Sequence, residues 1–376
     1  KHAIWYVVLV FVFWMLSINL WSAWFNDIPT TLTQPDGSVL ECLASGDEFH
    51  NWLHDREGYT IMLHPKTGFY VYAEKMGGEL VAGTAIAGRD NPRSFGIAPH
   101  LNISKEQYSA KRALFDQGPS LRNTPVTGTL NNIIIYIRFS DQTEFSFNTS
   151  AQVDMYNSLS PGVVSVRNYF WEESYQSLDV VTHMLPTQTQ PVIISYQHNQ
   201  PRSYYTIYNE VSNPIGYTSG NFSQRRMELF SAVLSYVNPM LPSGVNFDAD
   251  NDGYIDNVIF LLRGSHDGWG NFLWPHKSSI GSLGLQLGGK TVGEYNLGLE
   301  FMSGVSTACH EFTHTLGAPD YYHYSEDSTY SPVGMWDVMA NNLNPPQHTS
   351  AFTKWKYIGW IVSIPTIAPN QTYTIN

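Results

Sequence analysis

Two cysteines, Cys42 and Cys309, are all that this chain of 376 residues contains. A disulfide framework and a cysteine-rich zinc ribbon both need more, so neither holds the protein together. Charge is scarce too, at 14% of residues against roughly 25% in an average soluble domain. Basic residues are the scarcer kind, with 20 Lys and Arg against 32 Asp and Glu for a formal charge of −12. No Lys/Arg stripe reverses that sign locally, which excludes a nucleic acid as partner. Internal repeats and low-complexity tracts are also missing. What fills the space is aromatic: 11 Trp, 23 Tyr and 19 Phe, within a hydrophobic share of 43%. That share can bury a large core and excludes disorder for most of the chain. A polar, weakly charged, aromatic-rich composition points to an exported protein stabilised by packing or by a bound ion.

The N-terminus carries an unbroken apolar run, AIWYVVLVFVFWML (residues 3–16). As a helix it spans about 21 Å, short of the ~30 Å hydrocarbon core unless the weaker SINLWSAWF tail is added. Its length suits a secretory h-region, and Ser22-Ala23 supplies a cleavage site, so residues 1–25 read as a signal peptide, with an uncleaved signal anchor as the alternative. Once the signal is cleaved, no stable membrane association is expected.

Residues 26–117 read as a small β-rich unit built from GSVLECLASG, GYTIMLHP and GFYVYAE between Gly, Pro and Asp turns, followed by the helix-prone SKEQYSAKRALFDQ with its dibasic pair Lys111-Arg112. GPSLRNTPVTGT (118–129) has the composition of an exposed linker. From 130 to 362, strands alternate with helices: NNIIIYIRFSD, SLDVVTHML and YIDNVIFLLRG as strands, VVSVRNYFWEES and FSQRRMELFSAVLSYV as helices, the last with Ser223 as expected N-cap. This predicts an α/β layer with a twisted mixed sheet. Residues 363–376 read as the start of a further C-terminal β-domain.

The chemistry is concentrated in TACHEFTHTLGAPDYY. Residues four apart on a helix differ by 40° of rotation and about 6 Å of rise, so His310 and His314 face the same way and can hold one zinc ion. Glu311, beside the first ligand, is placed to act as general base on a metal-bound water. Gly317 suits a left-handed residue ending the helix, after which Asp320 can turn back as third ligand. Three protein ligands plus water is the pattern of a catalytic zinc site; structural sites close with four. An ordinary amphipathic helix would account for the two histidines but not for Gly317 and Asp320 at their offsets. His323 is the reserve third ligand.

HEFTHTLGAPD resembles the extended signature of metzincin metalloendopeptidases, in the version ending in Asp. SPVGMWDVMA (331–340) resembles their Met-turn, which implies Met339 as the methionine beneath the metal. FDADNDGYIDNVIF, LWPHK, SVRNYFWEESY and KWKYIGW are similar to the immune inhibitor A group, the M6 peptidases, and QPDGSVLECLASGDEFHNWLHDREGY resembles that group's prosegment. The resemblance runs from about residue 30 to 362. It implies an α/β (α+β) metzincin-like catalytic domain with an active-site helix, preceded by a β-rich prosegment, in a secreted zinc endopeptidase made as a zymogen. Some metzincins carry a Tyr two places after the Met-turn methionine; Asn341 stands there, so that residue's role does not carry over.

DADNDGYID places Asp248, Asp250, Asp252, the Tyr254 carbonyl and Asp256 at alternate positions with Gly253 at the sixth, the first part of a calcium loop. Ile259 at the twelfth position excludes a full EF-hand. A solvated acidic turn is the simpler account, but clustered carboxylates repel each other without a cation. His266 and His276 lie in a Gly- and Trp-rich stretch and read as polar loop residues ahead of any role in a cleft.

The expected function is therefore a secreted, zinc-dependent endopeptidase acting on protein or peptide substrates, with calcium as a structural ion. The rival from another class is a non-catalytic, ion-stabilised extracellular binding protein with a structural zinc closed by a fourth ligand; a zinc hydrolase of non-peptide substrates is a second. For latency, three roles for Cys42 stand open: a thiolate on the zinc, a disulfide to Cys309, or a plain buried thiol. Lys111-Arg112 and Arg122 are the expected activation cleavage points.

Overall fold

A computed structural model describes residues 25–47, 49–115, 124–218, 220–264, 273, 275–300, 304–321, 332–341 and 343–366. The apolar run at 3–16, Arg122, His266, His323 and residues 367–376 lie outside the described residues.

Six strands come first: β1 (Phe25–Thr33), β2 (Val39–Gly46), β3 (Asn51–His54), β4 (Thr60–Leu63), β5 (Tyr70–Met76) and β6 (Glu79–Ile86). Each pairs antiparallel with the next, a meander in sequence order. Short turns force this pairing, because a parallel neighbour needs a crossover of a dozen residues or more. One face packs Leu40, Cys42, Ala44, Leu53, Ile61 and Tyr72 into a core. Helix α1 (Lys105–Phe115) follows, where the helix-prone stretch predicted it.

The second sheet carries the site. Its elements are β7 (Gly128–Arg138), α2 (Thr149–Asn157), α3 (Val166–Glu173), β8 (Leu178–Leu185), β9 (Tyr196–Gln197), α4 (Phe222–Val237), β10 (Val258–Leu262), β11 (His276–Ser279), a small hairpin of β12 (Gln286–Leu287) and β13 (Lys290–Thr291), β14 (Glu294–Leu299), α5 (Val305–Thr315) and the short α6 (Ala351–Thr353). Spatial order is β11-β14-β10-β7-β8. β8, β7, β10 and β14 run parallel, while the edge strand β11 is antiparallel to β14. The sheet is thus mixed, in an α/β arrangement. β7 shows why its centre is parallel: Ile133 to Ile137 are all 0% exposed, a strand without alternation that must be covered on both faces. Its odd residues pack with α4, and its even residues with Phe170 of α3 and Phe312 of α5.

Two local expectations, one N-cap and the roles of Cys42, are corrected, while the dibasic pair falls in a helix as its segment predicted. α4 starts at Phe222 after Asn221, so Ser223 sits inside the first turn and is not the N-cap. Lys111-Arg112 lies within α1, where Lys111 Nζ is 3.2 Å from His50 Nδ1. The two cysteines are free and buried in separate cores, Cys42 beneath the first sheet and Cys309 between α5 and the second. Neither a Cys42–Cys309 bridge nor a Cys42 thiolate on the metal is compatible with that placement. Burial, with Glu41 adding to it, pushes the Cys42 thiol up to about 12, so it stays protonated.

Candidate metal centre

α5 forms because Val305, Cys309, Phe312 and Leu316 recur at helical spacing and bury one stripe against the even face of the sheet. Phe312 anchors it, its ring 4.9 Å from that of Phe170. At the other end, Gly317 takes φ +98° and its N–H bonds the His314 carbonyl at 2.9 Å, the left-handed stop that the spacing predicted.

The chain reversal that follows brings together the three predicted ligands. His310 Nε2 lies 3.1 Å and His314 Nε2 3.2 Å from the same oxygen, Asp320 Oδ1. The two rings stand 4.7 Å apart and nearly perpendicular. Each histidine is oriented from behind: His310 Nδ1 is 2.8 Å from Val338 O and His314 Nδ1 2.8 Å from Ala318 O. A carbonyl only accepts, so both Nδ1 atoms carry hydrogen, which leaves each Nε2 as the ring atom directed at one point and available to a metal.

These residues fit a zinc ion. His310 Nε2 is buried and makes no hydrogen bond of proper geometry, and the three ligating atoms lie within 4.8 Å of one another. Two imidazole nitrogens and a carboxylate oxygen are the donor set that zinc takes. The electrostatics say the same. Burial opposes charge on His314, but the Asp320 charge and hydrogen bond outweigh it and raise its pKa to about 9. Burial likewise works against the Asp320 carboxylate, and the two histidines hold it well below the usual carboxylate range.

Glu311 is buried at 6% exposure and close enough for its charge to act on His314. Met339 is fully buried in the core beneath α5, and its carbonyl accepts from Tyr321 N at 2.8 Å. Asn341 donates its backbone N–H to Asp337 O at 3.2 Å. His276, expected as a polar loop residue, is instead buried on the edge strand β11, its Nε2 3.0 Å from the Tyr295 hydroxyl.

Of the five residues in the second predicted cluster, three carboxylates come together. Carboxylate oxygens of Asp248, Asp250 and Asp252 lie within 4.8 Å of one another, in a loop bent by Asn251 (φ +62°) and Gly253 (φ +92°). Asp256 Oδ2 accepts from Ala249 N at 3.0 Å, while its Oδ1 is buried without a partner. Burial, reinforced by the three neighbouring carboxylates, pushes Asp256 up to about 7. Tyr254 follows in the loop, its N–H on Asp252 Oδ1 at 2.8 Å.

Sequence reasoning missed three parts of this architecture. Lys290 Nζ lies 2.5 Å from Asp248 Oδ2, from 42 residues away. A ladder of buried amides crosses the sheet beneath the end of α5: Asn132 to Asn257 at 2.7 Å, Asn257 to Asn296 at 2.9 Å and Asn296 to Thr315 at 3.1 Å. Asparagines inside apolar strands were the available signal. Asp337 is the third.

No family model and no curated protein sequence matches this chain. Among solved structures it is similar to metalloproteinase-II from Bacteroides fragilis, at 15% identity over 86% of this chain and 83% of that one, with a TM-score of 0.31. That likeness is slight. The functional reading stands on the site's own geometry.

Proposed function

We propose that this protein is a zinc-dependent endopeptidase, secreted and made as a zymogen. The observation that carries the reading is the convergence of His310 Nε2, His314 Nε2 and Asp320 Oδ1 on one point, each ring pinned by a backbone carbonyl. Bound there, zinc would polarise the scissile carbonyl and acidify water. Glu311 takes the proton from the attacking water and returns it to the departing amine, because it follows the first ligand on the same helix and is the one acid or base of the motif not used as a ligand. His310 and Glu311 are buried, and the low dielectric around buried groups strengthens the interactions of their charges. The rival structural-zinc reading needs a fourth protein ligand; among the described residues the cluster has three.

Latency is assigned to packing of the β-meander. Asp47, at the end of β2, is 0% exposed. Burial pushes its carboxyl up to about 6, against hydrogen bonds from Tyr108, His50 and Phe49, and the charge of Asp320 adds to the rise. The influence of the Asp320 charge on Asp47 supports a reading in which the N-terminal unit lies against the metal site as a covering prosegment. Calcium is assigned to Asp248, Asp250, Asp252, Asp256 and the Tyr254 carbonyl, supported by the partnerless Asp256 Oδ1. The deciding experiment measures zinc content and casein cleavage of the processed protein, with and without chelator. Stoichiometric zinc without chelator-sensitive proteolysis would overturn the peptidase reading.

A further inference from the structure

We propose that Asp337 is the positioning residue of the metal centre: its carboxylate shapes the one turn that holds both the His310 ring and the Asp320 segment. This rests on the metal-centre reading above and adds to it a residue outside the HExxHxxGxxD pattern.

Asp337 is fully buried, and a carboxylate taken out of water must be met by donors. Three meet it. Met339 N donates to Oδ1 at 2.9 Å; Ser350 N and the Thr353 hydroxyl donate to Oδ2 at 2.8 and 2.6 Å. The first bond closes a tight turn over Val338. Backbone bonds from Ala340 N (3.0 Å) and Asn341 N (3.2 Å) to Asp337 O complete it. The other two bonds tie the turn to the segment that begins α6.

Two consecutive carbonyls emerge from this turn, and they hold two different ligand-bearing stretches. Val338 O receives His310 Nδ1 at 2.8 Å. Met339 O receives the N–H of Tyr321, the residue after Asp320, at 2.8 Å. The Tyr321 hydroxyl in turn lies 3.0 Å from the Thr353 hydroxyl that serves Asp337, closing a ring of contacts from the carboxylate through both ligand segments. A second buried carboxylate backs the arrangement from α3: Glu173 accepts from Thr349 N at 2.7 Å and from the Thr349 hydroxyl. Glu173 holds the outer segment, whereas Asp337 joins that segment to the turn.

An amide cannot replace this carboxylate. In Asp337→Asn the side-chain oxygen would still accept, but the NH₂ group would face the Ser350 N–H, donor against donor. The turn would shift, and with it the direction of the Val338 and Met339 carbonyls. Outer groups of this kind set the orientation of ligating histidines, and losing one costs roughly 10–100-fold in metal affinity.

The test loads the full chain with Co(II) and reads its affinity by chelator competition and its geometry by visible absorption. Asp337→Asn is expected to bind Co(II) roughly 10–100-fold more weakly, with shifted absorption bands. Thr353→Val, nearly isosteric, should move both readouts the same way by less, and Thr353→Ser should restore them. If Asp337→Asn does not fold, the Thr353 pair decides by the same readouts. Parent-like Co(II) affinity and spectrum in the folded variants, with only a lowered melting temperature, would assign Asp337 to stability alone and overturn the proposal. A parent protein that takes up no Co(II) would instead overturn the metal-centre reading beneath it.

Discussion

The carbonyl oxygen of Ala318 lies 2.8 Å from Nδ1 of His314, four residues earlier in the chain. Gly317 makes that contact, since its φ of +98° turns the chain back within one residue of the helix end. Any other residue is strained there by roughly 1–2 kcal/mol. Gly317→Ala should therefore lose about 1–2 kcal/mol in urea unfolding and bind zinc roughly tenfold more weakly, as His314 loses its acceptor. Unchanged midpoint and zinc affinity would show that the left-handed turn does not set the ligand.

Glu311 and Asp320 should fail differently. Glu311→Gln keeps zinc and the fold while casein hydrolysis falls by roughly 10²–10⁴-fold, because an amide cannot accept the water's proton. Asp320→Ala loses the metal, since two imidazoles alone form a weak site. Stoichiometric zinc in Asp320→Ala by metal analysis would name another third ligand, with His323 the first to test.

Calcium should flatten a pH trend. With Asp256 pushed up to about 7, the folded chain binds more protons than the unfolded chain between about pH 4 and 7. Stability then falls as pH rises through that window, because the native state must give up a proton it holds more tightly. In chelator, the melting temperature should drop from pH 5 to 7.5. Saturating calcium should flatten the slope and raise the plateau, and Asp250→Ala should abolish the response. A fully chelated protein whose melting curve ignores added calcium would remove the ion from this loop.

Cys42 should have no part in latency. Its thiol is buried, protonated and in a different core from Cys309, so Cys42→Ser and added reductant should leave the unprocessed protein as inactive as before. Trypsin should cut after Arg122 before it cuts at Lys111, whose helix α1 must first unwind to enter a protease. N-terminal sequencing of the activated product checks this; a first cut within α1 would contradict it.

What depends on neighbours a few residues away was legible in the chain before any fold. The four-residue spacing of His310 and His314, the glycine stop at 317 and the return of Asp320 are helix geometry, which a short stretch of chain specifies. The alternate aspartates of 248–256 are likewise local loop geometry. Even the two-faced burial of β7 could be read from its run of isoleucines. Packing decided everything that required a partner from elsewhere in the chain. Val338 reaches His310 across 28 residues, and Lys290 reaches Asp248 across 42. The buried amides of Asn132, Asn257 and Asn296 look misplaced in apolar strands until the sheet aligns them under Thr315. The fate of the two cysteines followed the same rule: nothing near Cys42 or Cys309 says that two separate cores will bury them. Local spacing specifies which atoms can converge, but the carbonyl or carboxylate that holds them in place is supplied by packing, and packing is a property of the whole chain.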